Sequence, residues 1–578
     1  MRLGKKSFAI GLTMVALFTM VLSACSIGGS SGVGALPDAK QILRYSIVPD
    51  SPDIRRLDPD LTVDVYSYSM EQLIFPQLYT WDSNLNTIPW GADGMPTISN
   101  GGLTYTIKIH SGMKWSDGTA IDANTYAYSL NRALDPCVHG GAPSSAGFFI
   151  YAIKGAVAYN SEKCTADPAS LNPAATDTLI GKSIVVQDPQ TLVITLEAPY
   201  GYFLKTLTTS VSMAVPKQLI QQYGWKNWTD HLADTTFSGN MFGVKLWDHK
   251  GNLTLVRNDN FAGFGIAAKP KLKEIDVKIY QTADAEWADY QTNRLDVGGP
   301  PSSDYQAAKS RPDFHEGPVL SMGYLLPNWN KAPFNNVLAR QAFALAINKT
   351  LLANQVEKGT VYASDHMIPQ GNPGYNANLQ GVDGAPLTGD PAKAKAAITQ
   401  YAAAACGGDI TKCTPVDFYN TNDPTSQLVT SALVAQWNAA LPGYKITPHS
   451  VSFDDLINEL YGPPSGVAQL TAIGYAVDYP DPQDWTSLQA LPTSGTNTTG
   501  INLKAANDLM NAADVNQDQT SRFKQYQDAE QLLVQNVAWI TLDQSKQFWT
   551  QNKKLQNFSL TSNLFPTFQS WDTAYLKS

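Results

Sequence analysis

The chain lacks the groups on which most hydrolases, redox enzymes and metal proteins are built. Its 578 residues include only 7 histidines and 5 cysteines. The histidines are scattered, there is no C-x-x-C, and no histidine stands at ligand spacing from a cysteine, so nothing marks a metal or cofactor site. There is no G-x-S-x-G after a predicted strand, no H-E-x-x-H, and no G-x-G-x-x-G opening a helix. Gly181-Lys-Ser183 could end a phosphate loop, but the upstream glycine it needs is Thr176. The formal charge is −9 and no basic run stands out, which excludes nucleic acid as a partner. Past the first two dozen residues no apolar run is long enough to span a bilayer. Internal repeats are absent too.

What is present begins at the first residues. Arg2, Lys5 and Lys6 precede an apolar run from Phe8 to Leu22, too short to span and ending in Leu22-Ser-Ala-Cys25. Small residues before a cysteine resemble the bacterial lipobox. That resemblance implies cleavage before Cys25 and a thioether lipid on it, against the alternative of an ordinary secretory signal with an incidental cysteine. Ser26 to Gly34 is a Gly/Ser-rich tether that would let a globular body stand off a membrane. Cleavage removes Arg2, Lys5 and Lys6 and no acid, so the balance moves from −9 to −12. The expected location is outside the cytoplasmic membrane, lipid-anchored and otherwise soluble.

The mature chain is too long for one core, so two or more domains are expected. Four cysteines remain after Cys25. In an exported protein an even count suggests disulfides, and spacing favours Cys137–Cys164 and Cys406–Cys413; a metal site is the rival. Alternation predicts strands at Ile42–Ile47, Leu103–Ile109 and Lys273–Ile279, and hairpins 183–186/191–196 and 243–247/252–257. Helical spacing predicts helices from Val65 to Leu78, from Asp122 or Ala123 to Leu134, and from Asp284 to Arg294. Further on the character changes. Long helix patterns run 338–356, 393–405 and 426–441, with strands at 415–419 and 444–447 between them. The first half therefore reads as β-rich and the second as α/β with a largely parallel sheet.

One stretch stands apart. Thr471-Ala-Ile-Gly-Tyr-Ala-Val-Asp-Tyr-Pro-Asp-Pro482 is a strand-type run leading into Asp478, with Tyr475, Tyr479 and Trp485 around it and two prolines to stop it. A lone acid walled by rings at a strand end suits a ligand cation; an Asp capping a turn is the plain reading of the same residues. Asp478 and Asp481 also invite a paired-acid glycosidase, but on one strand before Pro482 they point in different directions. A lipid-anchored extracytoplasmic hydrolase is thus the weaker alternative.

The string Tyr105-Thr-Ile-Lys-Ile-His-Ser-Gly-Met-Lys-Trp-Ser-Asp-Gly-Thr-Ala-Ile-Asp-Ala-Asn-Thr-Tyr-Ala-Tyr-Ser-Leu-Asn-Arg132 resembles the signature of extracellular solute-binding proteins of the dipeptide/oligopeptide-binding class, family 5, the receptors of ABC importers. Four more blocks agree in order: Leu57-Asp-Pro59, the 243–247 hairpin with Leu255 to Phe261, Asn330 to Asn336 leading into Ala339 to Asn348, and Gly474 to Pro482. The chain departs from that pattern at Ser238 to Gly243, at Tyr475 where the family usually has Trp, and at Asn348 where it usually has Asp.

The resemblance implies an α/β, two-lobe, periplasmic-binding-protein-like fold with an extra subdomain and a ligand cleft between the lobes. Residues 1–24 would be signal peptide and 25–40 lipidated cysteine and tether. Lobe I would take 41–70, 178–279 and 541–578, the extra subdomain 71–177, and lobe II 280–540, with crossings near Ile279–Thr282 and Trp539–Asp543. It further implies that Asp478 takes a peptide's ammonium, that Tyr475 and Gly474 offer a ring wall and main-chain contacts, and that Asp53 and Ile54 line the opposite lobe. Arg340 tempts as a carboxylate clamp but reads better as a structural helix residue, and Trp115 and Tyr105 as core. The expected partners are a peptide or similar small solute and a permease with its ATPase. The protein itself would be a monomer without cofactor or metal. Receptors of this fold for nickel chelates or oligosaccharides are the nearest alternatives.

Overall fold

Alternation of Leu43, Tyr45 and Ile47 with Ile42, Arg44 and Ser46 makes Ile42–Ile47 a strand with the first set buried. The computed structural model describes residues 34–578 apart from 50, 63, 139–146, 168–169, 262, 265–267, 462–467 and 563–565. The expected signal, Cys25 and most of the tether lie outside the described residues.

Ile42–Ile47 pairs in parallel with Glu274–Ile279, which continues antiparallel to Asn252–Arg257 and then Phe242–Trp247. The hairpin turn needs positive φ, supplied at His249 (54°) and Gly251 (101°). Asp64 caps the helix Val65–Ile74, accepting from the N–H groups of Tyr66 and Ser67 at 3.1 and 2.8 Å. That helix ends four residues before the expected Leu78. Phe75 precedes Pro76 and is held extended, and proline has no N–H to continue the ladder.

A second four-stranded sheet runs Thr97–Ser99, Thr104–Lys108, Thr191–Thr195, Ile184–Asp188. The helix Ala123–Leu134 packs on it, opened by a capping box between Asp122 and Thr125. The 184–195 hairpin thus pairs with Thr104–Lys108, a strand of the 71–177 segment. The two sheets also share one core: Leu43 and Ile275 join the same cluster as Ile107, Leu130 and Ile194. At its centre Arg132 is 2% exposed and reaches Asp58 with both terminal nitrogens (2.8 and 2.7 Å), and Asp60 as well. The Trp228 indole also donates to Asp58, at 3.0 Å. The Leu57-Asp-Pro59 block and the far end of the 105–132 string thus meet in one buried ion cluster.

The remaining large sheet has seven strands, with a path of Val297–Gly298, Ile540–Gln551, Phe314–Pro327, Leu470–Ala476, Val416–Thr421 and Ile446–Val451. Val361–Ala363 adds to the edge of Ile540–Gln551. Only the pairs made by Val416–Thr421 are parallel, since helices connect those strands; the others are antiparallel. The expected largely parallel sheet is thus mixed. A second core of Met322, Phe343, Phe418, Trp437, Trp485 and Leu533 fills this lobe.

The helix expected over 338–356 is interrupted. Val337–Leu345 stops because the N–H of Asp390 takes the carbonyl of Leu345 at 2.7 Å, and Asn348 then caps a new turn by accepting from Leu351 N–H at 2.8 Å. Arg340, 4% exposed, donates to the carbonyls of Phe334 (2.7 Å) and Asn536 (2.9 Å) and lies over the Trp329 ring, so it is structural.

After Ile279, residues Tyr280, Trp287, Tyr290, Leu295 and Ala308 form a small cluster of their own. On the return, Ile540 and Leu542 pack in the second core and Trp549 in the first. One strand, Ile540–Gln551, thus contributes to both cores. The four cysteines pair as Cys137–Cys164 and Cys406–Cys413, with Cα–Cα distances of 5.0 and 5.1 Å.

Candidate functional site

The strand Leu470–Ala476 lies along Phe314–Pro327 for its whole length, with Gly474 opposite Gly323 and Tyr475 opposite Met322. Its other edge is covered only at Leu470 and Thr471, by Phe418 and Tyr419. From Ala472 to Ala476 that edge has no strand partner among the described residues, which leaves main-chain groups available for an added strand. Gly474 is exposed there, and Tyr475 and Asp478 are half-buried.

Beyond Ala476 the chain turns on itself. Pro480 and Pro482 cannot extend the ladder. Asp481 caps the short helix Pro482–Trp485 and is gripped by both terminal nitrogens of Arg522, at 2.9 and 2.7 Å. It is fully buried and faces into the lobe, so Asp478 and Asp481 are no catalytic pair. The helix instead brings back Asp484, also fully buried, whose Oδ2 accepts the Asp478 N–H at 3.1 Å. The Tyr475 hydroxyl reaches Asp478 Oδ2 on one side and Asp484 Oδ1, at 2.8 Å, on the other. Trp485 meets the Tyr475 ring edge-to-face at 5.2 Å between centroids. Burial pushes the Asp478 carboxyl up to about 7, with the Tyr475 hydrogen bond pulling the other way. Burial raises Asp484 well above the usual carboxylate range, and the charge of Asp478 adds to the rise.

The first lobe closes over this corner. The Asp478 charge acts on the Tyr68 hydroxyl of the Val65–Ile74 helix. Phe149 meets Tyr479 edge-to-face at 6.1 Å, and Arg55 pairs with Asp454 at 3.1 Å. Leu85, at the tip of the Tyr79–Trp81/Thr87–Pro89 hairpin, is counted in the second lobe's core. Asp53 and Ile54 precede Arg55, but their side chains are engaged. Asp53 accepts from the Trp247 indole at 3.2 and 3.0 Å and lies 3.1 Å from His249 Nδ1; Ile54 is 2% exposed in the first core. Trp115 and Tyr105 are likewise core.

The sequence marks Asp478, Tyr475 and Gly474 on one strand end and leaves Asp484 unmarked. Its signal was a second acid beside Trp485, and only the turn of the Pro482–Trp485 helix converts that into contact with Tyr475. An open cavity of about 770 Å³ lies elsewhere, against Tyr290, Arg311, His315 and Gln551.

Residues 86–497 match the model of the bacterial extracellular solute-binding proteins, family 5 (middle region), which is more than two-thirds of the chain. The chain belongs to that family. This family 5 protein is 25% identical to the oligopeptide-binding protein OppA of Bacillus subtilis (strain 168) over 565 residues, covering 96% of each chain. In fold it is similar to the Escherichia coli murein tripeptide binding protein MppA, at a TM-score of 0.75 and 18% identity over 93% of this chain and 98% of that one. Listeria monocytogenes OppA bound to peptide gives a TM-score of 0.72 at 22% identity, over 93% and 99%. The family is one of solute-binding proteins, which removes the hydrolase alternative. The family is extracellular, and no helix among the described residues is long and apolar enough to cross a membrane.

Proposed function

We propose that this family 5 protein is the lipid-anchored receptor of an ABC importer, that it captures peptides with a free amino terminus in the cleft beside Asp478, and that it hands them to the permease. The observation that carries the reading is the uncovered edge of Leu470–Ala476 running straight into a half-buried acid. A receptor for peptides of varied sequence has to hold what all of them share, the main chain and the termini. The edge at 472–476 takes the main chain as an added strand, and Asp478 takes the ammonium. Tyr475 walls the ligand, and Gly474 lets its backbone approach, since a Cβ there would meet only the Met322 carbonyl oxygen at 3.5 Å. On the opposite wall Asp53 and Ile54 line the cleft as a fixed surface, the Ile54 N–H donating to Asp53 Oδ1 at 2.8 Å and the Asp53 carbonyl accepting from the Ser51 hydroxyl. Cys25 supplies the anchor and the Gly/Ser tether the reach. The body works as a monomer, and closure over the ligand follows from tighter binding in the closed state than in the open one.

Purified protein without its tether should respond to a peptide pool with a change in tryptophan fluorescence and a higher melting temperature. A response to sugars or metal chelates, with none to peptides, would replace the ligand class while keeping the receptor.

A further inference from the structure

Tyr475 has one hydroxyl proton and two carboxylates within reach, Asp478 Oδ2 and Asp484 Oδ1. A tyrosine donates a single hydrogen bond. With both carboxylates ionised, one contact would set an acceptor against an acceptor in a place stripped of water, which is costly. One more proton resolves the polarity, and the surroundings say where it sits. Asp484 is fully buried, its Oδ2 already accepts the Asp478 N–H, and the Arg522 guanidinium beside this turn is taken by both oxygens of Asp481. Asp478 is the half-buried member at the free strand edge.

We propose that Asp484 carries this proton, so that Asp484 Oδ1–H donates to Tyr475 Oη and Tyr475 donates to Asp478 Oδ2. The chain is a positioning device. It holds the ligand-binding carboxylate in one orientation and leaves the corner with a single negative charge, matched to one ammonium and not to a divalent metal ion. The other titratable groups near it are Tyr479 on the same turn, Tyr68 from the first lobe, and Asp481 with Arg522. This inference rests on Asp478 being the ammonium acceptor, and its test separates the two.

Infrared difference spectroscopy at neutral pH reads the proton directly, with no ligand present. Asp484→Asn should lose one protonated-carboxyl C=O band that Asp478→Asn retains. In titrations with a free-amine peptide, Asp484→Ala should weaken binding about tenfold or more, the scale of a hydrogen bond to a charged group. Asp484→Asn should recover most of that loss, because its amide N–H can donate to Tyr475 as the acid does. If the alanine variant does not fold, Tyr475→Phe should show the same loss. A difference spectrum between the natural protein and Asp484→Asn in which no protonated-carboxyl band is lost would overturn the assignment. So would an asparagine no better than alanine, a Tyr475→Phe variant that binds undiminished, or a melting temperature raised by calcium or nickel ion. If no peptide binds the natural protein, the peptide reading fails while the infrared result still decides where the proton is.

Discussion

Asp478→Asn should weaken binding of free-amine peptides by about thirty- to a hundredfold and leave their N-acetylated counterparts within about threefold. The change removes one partner of a charged hydrogen bond in a half-buried corner. Such losses run from about 2 kcal/mol upward, and about 1.4 kcal/mol is a factor of ten. Asparagine keeps the shape, so the neutral ligand reports any damage to the wall itself. Isothermal titration of both peptides against both proteins gives the four numbers needed. Equal loss for the two ligands would make Asp478 a structural residue of the turn.

The same titration has a pH dependence with a definite sign. Ammonium binding needs ionised Asp478, and burial holds that carboxyl up to about 7. Below that value the free protein must release a proton to bind, so affinity for a free-amine peptide should fall as pH falls, by up to about tenfold per unit. The N-acetylated peptide should show no such slope, and the Asp478→Asn variant should lose it.

The second large effect concerns the fold. Arg132→Met should destabilise the protein by about 3–5 kcal/mol, measured as a lower urea midpoint of the first lobe, because it leaves Asp58 and Asp60 buried without their guanidinium. Burial already holds the Asp60 carboxyl up to about 7, and losing that cation removes the charge that opposes the rise. A group raised in this way destabilises at pH above its unfolded value and is relieved on protonation. The penalty should therefore be smaller at pH 5 than at pH 8. A variant within about 1 kcal/mol of the natural protein at both pH values would mean the cluster contributes little to the lobe.

Much of the scaffold was legible because local signals and tertiary structure agree. The 42–47 and 273–279 alternation and the helical spacing over 122–134 and 426–441 each decide an element within a few residues. What was not legible came from far along the chain. The break after Leu345 is made by residues 387–390, which take its carbonyl and supply the turn against it. Ile540–Gln551 is one continuous strand whose two ends pack in different cores, a division invisible in its period-two pattern. Alternation names the strands of the 184–195 hairpin without naming their neighbour, which the fold supplies as Thr104–Lys108.

At the site the same limit applies. The acid, the glycine and the ring of the 474–478 run are visible as residue types, and their order follows a family pattern. That Asp481 is turned inward onto Arg522 while Asp484 returns to Tyr475 depends on the Pro482–Trp485 helix and on a helix some forty residues later. The sequence shows two acids, at 481 and 484, near Asp478. Only the folded turn shows which one joins it.

The most direct measurement is native mass spectrometry of the protein purified without denaturation from its own cells. The account predicts bound peptides with unblocked amino termini, lost from Asp478→Asn and retained in part by Asp484→Asn. Bound sugars, metal chelates or N-blocked peptides in their place would contradict it.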